Sequence, residues 1–533
     1  MVNYSMFDKT EDTAFNILNA LNYCKAHGED GLLFDKGTYR VKREKAAETV
    51  VSVSNHCGPG VKRACFLLDG FKNFTIDGGG SSFVFEDILF PVIVRNAENI
   101  TVKNFTFSSE NTQNMQALVT DSGEDWFEMQ PETNLPVFVI EKDVYVGDRD
   151  GEHQKLRSFD EVDGETNLLV SHAGDYCFCY PQNRSIDFEM LSNGNVKATG
   201  VKRKIKAGNR LNFASITRAV ANIFIDNSKN TTVQDVTLYS GMGMGIIAQN
   251  SDTVTAERFS TRLADGRSYS INADGTHFVH CKGKIAIRDC FFEGQLDDAL
   301  NVHSVYLKIE DKTERTLLLK FMHAETKGID LIPKGGTVEI ADASTLLPYE
   351  TFKVESVRRI NADYTEITVD KDTSAVRTGD VANEVSFVPE ILFENCTVRN
   401  NRARGMLLAS AGKTVIRGNL FQTPGCSIKF ESDGKYWFES GSVKDVLITE
   451  NRFENCCYAD WGEEVIYTQP REKEEENRYY HGKIEISGNT FVNCAVRPAT
   501  MNNVETFIFE NNTFENCADR EVKFSHCGTA EIK

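Results

Sequence analysis

A short alternating motif returns along this chain with a period near 23 residues, and few folds accommodate such a repeat. It reads ITVKNFTF (100–107), TVQDVTL (232–238), IAIRDCFF (285–292), ILFENCTV (391–398), TVIRGNLF (414–421), VLITENRF (446–453), IEISGNTF (484–491) and FIFENNTF (507–514). With the second apolar residue of each pair as marker, Val233 to Val254 spans 21 residues, and Phe393 to Ile416 and Ile486 to Phe509 each span 23. Ile416 to Ile448 spans 32 and Ile448 to Ile486 spans 38, so those turns carry extra loops, among them the acidic run REKEEENRYYH (471–481). A strand of this length buries no face alone; stacked rung on rung, such strands bury a continuous core. Helical repeats are longer, ~33–47 residues, and the leucine-rich signature of similar period is absent. The expected class is all-β: a right-handed parallel β-helix solenoid with equivalent Asn, Phe and Cys side chains in ladders. Asn73–Asp77 and Gly78-Gly79-Gly80 put its start near residue 60.

Two long stretches, 110–220 and 305–388, break the period. They hold alternating runs such as VFVIEKDVYV (137–146), NVKATGVKRKIKAG (195–208), RTLLLKFMHA (315–324), TVEIADA (337–343) and YTEITVD (364–370), punctuated by turns at DRDG (148–151), SNGN (192–195) and PKGG (333–336). Such runs predict antiparallel hairpins, hence β-barrel or sandwich modules inserted between rungs. Residues 12–28 predict a helix capped by Asp12 or Thr13 and ended by Gly28, closing the open end of the solenoid. The division that follows is 1–109 for the cap and first rungs, 110–220 and 305–388 for the inserts, 221–304 for the central rungs, and 389–533 for the C-terminal rungs.

The 59 basic and 78 acidic residues give a net charge of −19, which argues against nucleic acid as partner. No apolar run reaches the ~18–20 residues of a membrane span. The N-terminus lacks the basic start and apolar core of a signal peptide, so the expected location is the cytoplasm, or a secreted chain already trimmed. The 14 cysteines are too sparse for a disulfide scaffold. Cys396, Cys456, Cys494 and Cys517 share one context, after Phe-Glu/Val-Asn, and are expected as reduced ladder thiols. Cys177 and Cys179, two apart, are expected in core packing. No cysteine or histidine set has zinc spacing and no DxDxDG loop is present, so no metal or cofactor is expected. A homodimer is compatible with the sequence, which carries no oligomeric signal.

Chemistry concentrates between the inserts, in SINADGTHFVHCKGKIAIRDCFFEGQLDDALNVH (270–303). Asp274 precedes Asp298 by 24 residues, one rung, and the markers put Asp274, Asp298 and Arg404 on one column, with Asp297 adjacent. Lone aspartates such as Asp226 or Asp445 read as turn caps. Three carboxylates within one rung height raise the pKa of at least one, and a protonated plus an ionised carboxyl is the minimum equipment for glycoside hydrolysis.

NADG followed by DDALNVH resembles the paired aspartate motifs of polygalacturonase-type β-helix glycosidases. YSGMGMGI (239–246), FEGQLDDALNVH (292–303), RGMLLAS (404–410) and GCSIKFESDGKYWFESG (425–441) are closer to glycoside hydrolase family 110, the inverting α-1,3-galactosidases. That resemblance covers most of the solenoid. It implies removal of terminal α-1,3-linked galactose, with Asp274, Asp297 and Asp298 catalytic. Asp297 is assigned as general acid and Asp274 with Asp298 as base, on two sides ~6.5–9.5 Å apart that leave room for water. Against the polygalacturonase pattern, Arg404 stands where a histidine is expected, and of Arg-Ile-Lys only Lys429 survives in Ser427-Ile428-Lys429. The cationic clamp for an acidic sugar is incomplete, which favours a neutral galactoside. Candidate substrate-binding residues are His277, Asn301, His303, Arg404, Lys429 and Glu431, with Trp437 as aromatic platform. Trp126 and Trp461 read as structural, and His280 as a hydrogen-bonding residue. The competing readings are hydrolysis of a sulfated or acidic galactan, a lyase, and a non-catalytic carbohydrate-binding β-helix.

Overall fold

The computed structural model describes the chain except residues 8, 113, 148–152, 172–175, 178–185, 216–217, 470 and 472. The turn read at 148–151 and Cys179 lie outside the described residues, and so does the Cys177 side chain. The solenoid is a stack of parallel strands in which each rung pairs with the next. Marker residues fall into one column: Val102, Val233, Ala256, Ile287, Phe393, Ile416, Ile448, Ile486 and Phe509 are successive partners. One marker needs correcting, since Val233 pairs with Ala256 rather than Val254. The small Ala256 side chain hides the position in the sequence.

The stack begins earlier than residue 60. Gly31–Leu33 pairs with Thr75–Asp77, and Val2–Asn3 pairs with Leu32 and Leu33. The helix Thr13–His27 covers these first rungs with Ala14, Ile17, Ala20, Leu21 and Cys24. Asp12 caps it, its carboxylate accepting from Phe15 N–H at 2.9 Å, and Gly28 ends it at φ +66°. Among the described residues no helix is long and apolar enough to cross a membrane.

The two interruptions have their own cores. The first is an antiparallel sheet of strands between Met115 and Ser215. Of the run 195–208 only Val196–Thr199 is strand. The second is a closed six-stranded antiparallel barrel, from Leu307–Lys312 to Val381–Glu384. The solenoid keeps its register across that insert, because Leu300 pairs with Met406.

Two kinds of asparagine repeat. Asn395, Asn455, Asn493 and Asn516 sit at rung corners with φ between +51° and +55°, a left-handed conformation asparagine tolerates. Asn419, Asn451, Asn489 and Asn512 form the inward ladder. Asn451 Oδ1 accepts from Asn419 N–H (3.0 Å) and Nδ2 (2.8 Å), while its own Nδ2 donates to Ile416 O at 2.9 Å and Asn489 Oδ1 at 3.0 Å. Asn451→Ala strands these buried partners and is expected to cost about 2–4 kcal/mol, read by urea unfolding. Asn455→Gly, at a left-handed corner, is expected to be near neutral by the same measurement.

Rings of Phe421, Phe453, Phe491 and Phe514 stack at centroid distances of 5.0–5.3 Å. Cys494 and Cys517 lie on adjacent rungs, as Val492 pairs with Glu515, and the cysteines described are free. Cys396 is not in their column. Its Phe393 occupies the marker position, whereas Phe453, Phe491 and Phe514 pair one strand later. Cys396 therefore stacks on Cys290, whose N–H donates to its Sγ at 3.4 Å.

Candidate active site

Strands Thr276–Val279, Leu300–Val305, Met406–Leu408 and Ile428–Phe430 lie side by side on one face, with Thr276, Leu300, Met406 and Ile428 in register. Alternation sends Phe278, Val302, Leu408 and Phe430 inward. It sends His277, Asn301, Leu407 and Lys429 outward. Two residues before each strand the same register aligns Asp274, Asp298 and Arg404. The glycines beside them are steric: a Cβ on Gly245 would stand 2.4 Å from Gly275 O, and one on Gly405 would stand 2.4 Å from Ser427 O.

The three aspartates converge, their nearest carboxylate oxygens all within 4.8 Å of one another. Carboxylates so close either hold a cation or share protons, and guanidinium groups supply positive charge here. Arg404 grips Asp298 with N–H and Nε on Oδ1 (2.9 and 3.0 Å) and Nη2 on Oδ2 (3.0 Å). Arg218 Nη2 donates to Asp297 Oδ2 at 3.2 Å. Asp298 N–H donates to Asp274 Oδ1 at 3.0 Å, and Asp274 Oδ2 lies 2.6 Å from His277 Nδ1. Asp274 and Asp298 are buried, while the Asp297 side chain is 19% exposed. Burial, then the charge of Asp297, pushes Asp274 up to about 8. Burial pushes Asp298 up to about 7 against the opposing pull of Arg404. Burial outranks the like-charge effect expected from the sequence.

A cavity of about 320 Å³ opens on this cluster. Of the sequence candidates it brings together His277, Asn301, Arg404, Lys429, Glu431 and Trp437 with the three aspartates. His303 is not among its walls; it lies behind His277, their Nε2 atoms 2.9 Å apart. Lys429 is paired with Glu431 at 2.6 Å. Trp437 is 45% exposed and packs against His323 of the barrel, ring centroids 4.6 Å apart.

Sequence reading missed Asn55, Arg218, Glu325, Asp433 and Glu439, which also line the cavity. Asn55 is in a hairpin turn, Arg218 lies where the chain returns from the first insert, and Glu325 is on a short turn of the barrel. None belongs to the repeat, so no periodicity marks them. Asp433 and Glu439 did carry a signal, since both lie within GCSIKFESDGKYWFESG. A second cavity of about 640 Å³ shares Asp297, Arg404 and Lys429 with the first and is lined by Trp461 and Tyr467. Trp461, read as structural, thus also faces a cavity joined to the cluster.

Comparison with known proteins agrees along the chain. Residues 316–381 match the family described as GLAA-B beta-barrel domain II, and residues 382–533 match the right handed beta helix region. Alpha-1,3-galactosidase B of Phocaeicola vulgatus is 30% identical over 525 residues, covering 93% of this chain and 88% of that protein. Alpha-1,3-galactosidase A of Shewanella woodyi is 29% identical over 511 residues, covering 94% and 83%. An exopolygalacturonase from Thermotoga maritima aligns over 99% of this chain and 91% of its own, at 11% identity and a TM-score of 0.42.

Proposed function

Because this chain belongs to the α-1,3-galactosidase family, we propose that it is an exo-acting hydrolase releasing terminal α-1,3-linked galactose with inversion. The observation that carries the reading is the Asp274, Asp297 and Asp298 cluster at the base of a sugar-sized cavity. A binding module gains nothing from burying two carboxylates against a third, whereas acid and base chemistry needs them. Glu325, Glu431, Asp433 and Glu439 on the wall make the cavity hostile to an acidic or sulfated sugar. Arg404 and Lys429 are already paired, so a neutral galactoside is the substrate this wall fits.

Asp297 is the acid in this reading. It is the most exposed of the three and lines both cavities, so it stands where a glycosidic oxygen would cross from one to the other. Asp274 and Asp298 activate water. The cluster is tighter than the ~6.5–9.5 Å expected of two opposed carboxyls, and nearer the ~5–5.5 Å of a retaining pair. Inversion is proposed on engagement rather than distance: Asp274 and Asp298 are buried, and each is held by at least two hydrogen bonds that keep it from advancing on an anomeric carbon. NMR of galactose freshly released from Gal-α-1,3-Gal is expected to show the β anomer first; α galactose first would mean retention. A second reading exchanges the roles, with the buried pair donating the proton, and the upward shifts of Asp274 and Asp298 favour it.

A further inference from the structure

Behind the catalytic column runs a series of buried contacts. His303 Nδ1 donates to Ser304 O at 2.6 Å. His303 Nε2 faces His277 Nε2 at 2.9 Å, and His277 Nδ1 faces Asp274 Oδ2 at 2.6 Å. Asp274, His277 and His303 are each at most 4% exposed.

Proton counting restricts this chain. A carbonyl only accepts, so His303 Nδ1 carries hydrogen. Two bare nitrogens at 2.9 Å would repel, so one proton lies between the Nε2 atoms. The 2.6 Å contact at Asp274 needs another. Every arrangement that satisfies all three contacts therefore holds three protons and has zero net charge. With the strongly basic imidazolate form of His277 set aside, three such arrangements exist. The excess proton sits on Asp274 with both histidines neutral, on His277 as imidazolium, or on His303 as imidazolium near Glu439 Oε1, 3.5 Å from His303 Nε2.

We propose that Asp274, His277 and His303 form a buried proton wire, anchored on the Ser304 carbonyl, with one mobile proton that rests on the Asp274 carboxyl. Burial disfavours both imidazolium forms: it lowers His277 to about 3, with Arg218 adding to the effect, and it lowers His303. Asp297 opposes ionisation of Asp274, while Arg218 and Arg404 favour it. Glu325 draws a proton toward His277, and Glu439 draws one toward His303. His56, also buried near His277, is pushed toward its neutral form by burial.

The catalytic use of the wire rests on the function proposed above. To ionise Asp274, its O–H bond breaks as His277 Nδ1–H forms, while His277 Nε2–H breaks as His303 Nε2–H forms. The products are the Asp274 carboxylate, neutral His277 and a His303 imidazolium beside Glu439. The proton is stored inward and need not cross the sugar. His277 and His303 are positioning residues.

Nitrogen-15 NMR of the histidine-labelled full-length protein at pH 7 tests the resting state without any substrate. His277 is expected neutral with hydrogen on Nε2, and His303 neutral with hydrogen on Nδ1, assigned by signals lost in His277→Gln and His303→Gln. A His277 signal from Nδ1–H or from imidazolium overturns the proposal, whatever the enzyme hydrolyses. Kinetics tests the coupling. His303→Phe removes the acceptor for His277 Nε2–H, favours the other tautomer and so favours ionised Asp274. One limb of the kcat/KM–pH profile should move at least one unit, about tenfold in proton concentration, toward lower pH. His303→Gln, whose side-chain oxygen can accept the same proton, should leave the limb in place. A uniform loss of rate in His303→Phe with both limbs unmoved would show a purely structural role.

Discussion

An Asp297→Asn enzyme is expected to lose about 10²–10⁴ in rate on Gal-α-1,3-Gal and far less on an activated galactoside. The second galactose of the disaccharide leaves as an alkoxide unless the glycosidic oxygen is protonated. A nitrophenolate or fluoride leaves without that help. The amide keeps the size of the carboxyl but has no acidic proton, so the difference between substrates isolates the acid step. Asp298→Asn is expected to be slow on both substrates, because water still lacks its base. The two profiles exchange if the buried pair supplies the proton, and rescue confined to Asp298→Asn would establish that exchange. Equal loss in both variants on all substrates would remove the acid–base division altogether. The comparison needs only initial rates of the two variants on two substrates.

Arg404→Met is expected to destabilise the protein by about 3–5 kcal/mol once the pH exceeds the raised value of Asp298 in the variant, because it then leaves the carboxylate of Asp298 buried without its partner. Arg404 gives that carboxylate two hydrogen bonds and one further ion-pair contact, and takes up the column position next above it. The pH dependence has a definite sign. Asp298 titrates near 7 in the folded chain, above its unfolded value of about 3.9, so the folded state binds more protons between them. Its contribution to stability therefore falls as pH rises through that window. Without Arg404 the folded value rises further and the window lengthens. The Arg404→Met penalty should be small near pH 4, grow from about pH 7 and be full only above the raised value of the variant. Adding Asp298→Asn should restore most of the stability at high pH while leaving the enzyme inactive. Urea midpoints of the single and double variants at both ends of that range check this, and a penalty independent of pH would locate the defect in packing.

The parts of the fold that repeat were legible, because period-2 alternation at a fixed return length marks both strand and register. Asp274, Asp298 and Arg404 could be aligned from marker spacing alone, and their strands pair as that spacing requires. Where the repeat is degenerate the reading slipped. Ala256 is too small to mark its rung, and Phe393 stands at a different corner from the later copies of the same tetrapeptide. The first rungs escaped because the helix separates strands two to four residues long. The wall residues Asn55, Arg218 and Glu325 come from a hairpin and two inserts, and only the folded chain brings them to one cavity.

Asp298 and the arginine that grips it are 106 residues apart. On a ribosome adding ~5–20 residues per second, roughly 5–20 s pass between the two. If rungs add in the order of synthesis, the rung bearing Asp297 and Asp298 is the growing edge of the stack throughout that interval. Its carboxylates are still wet, and no cost of burial has yet been incurred. An unfinished parallel edge is a template for wrong pairing, and charge along its rim resists it. In that order of assembly the acidic pair would guard the nascent chain before it serves the finished one, and the site would be sealed only when the next rung arrives with its guanidinium.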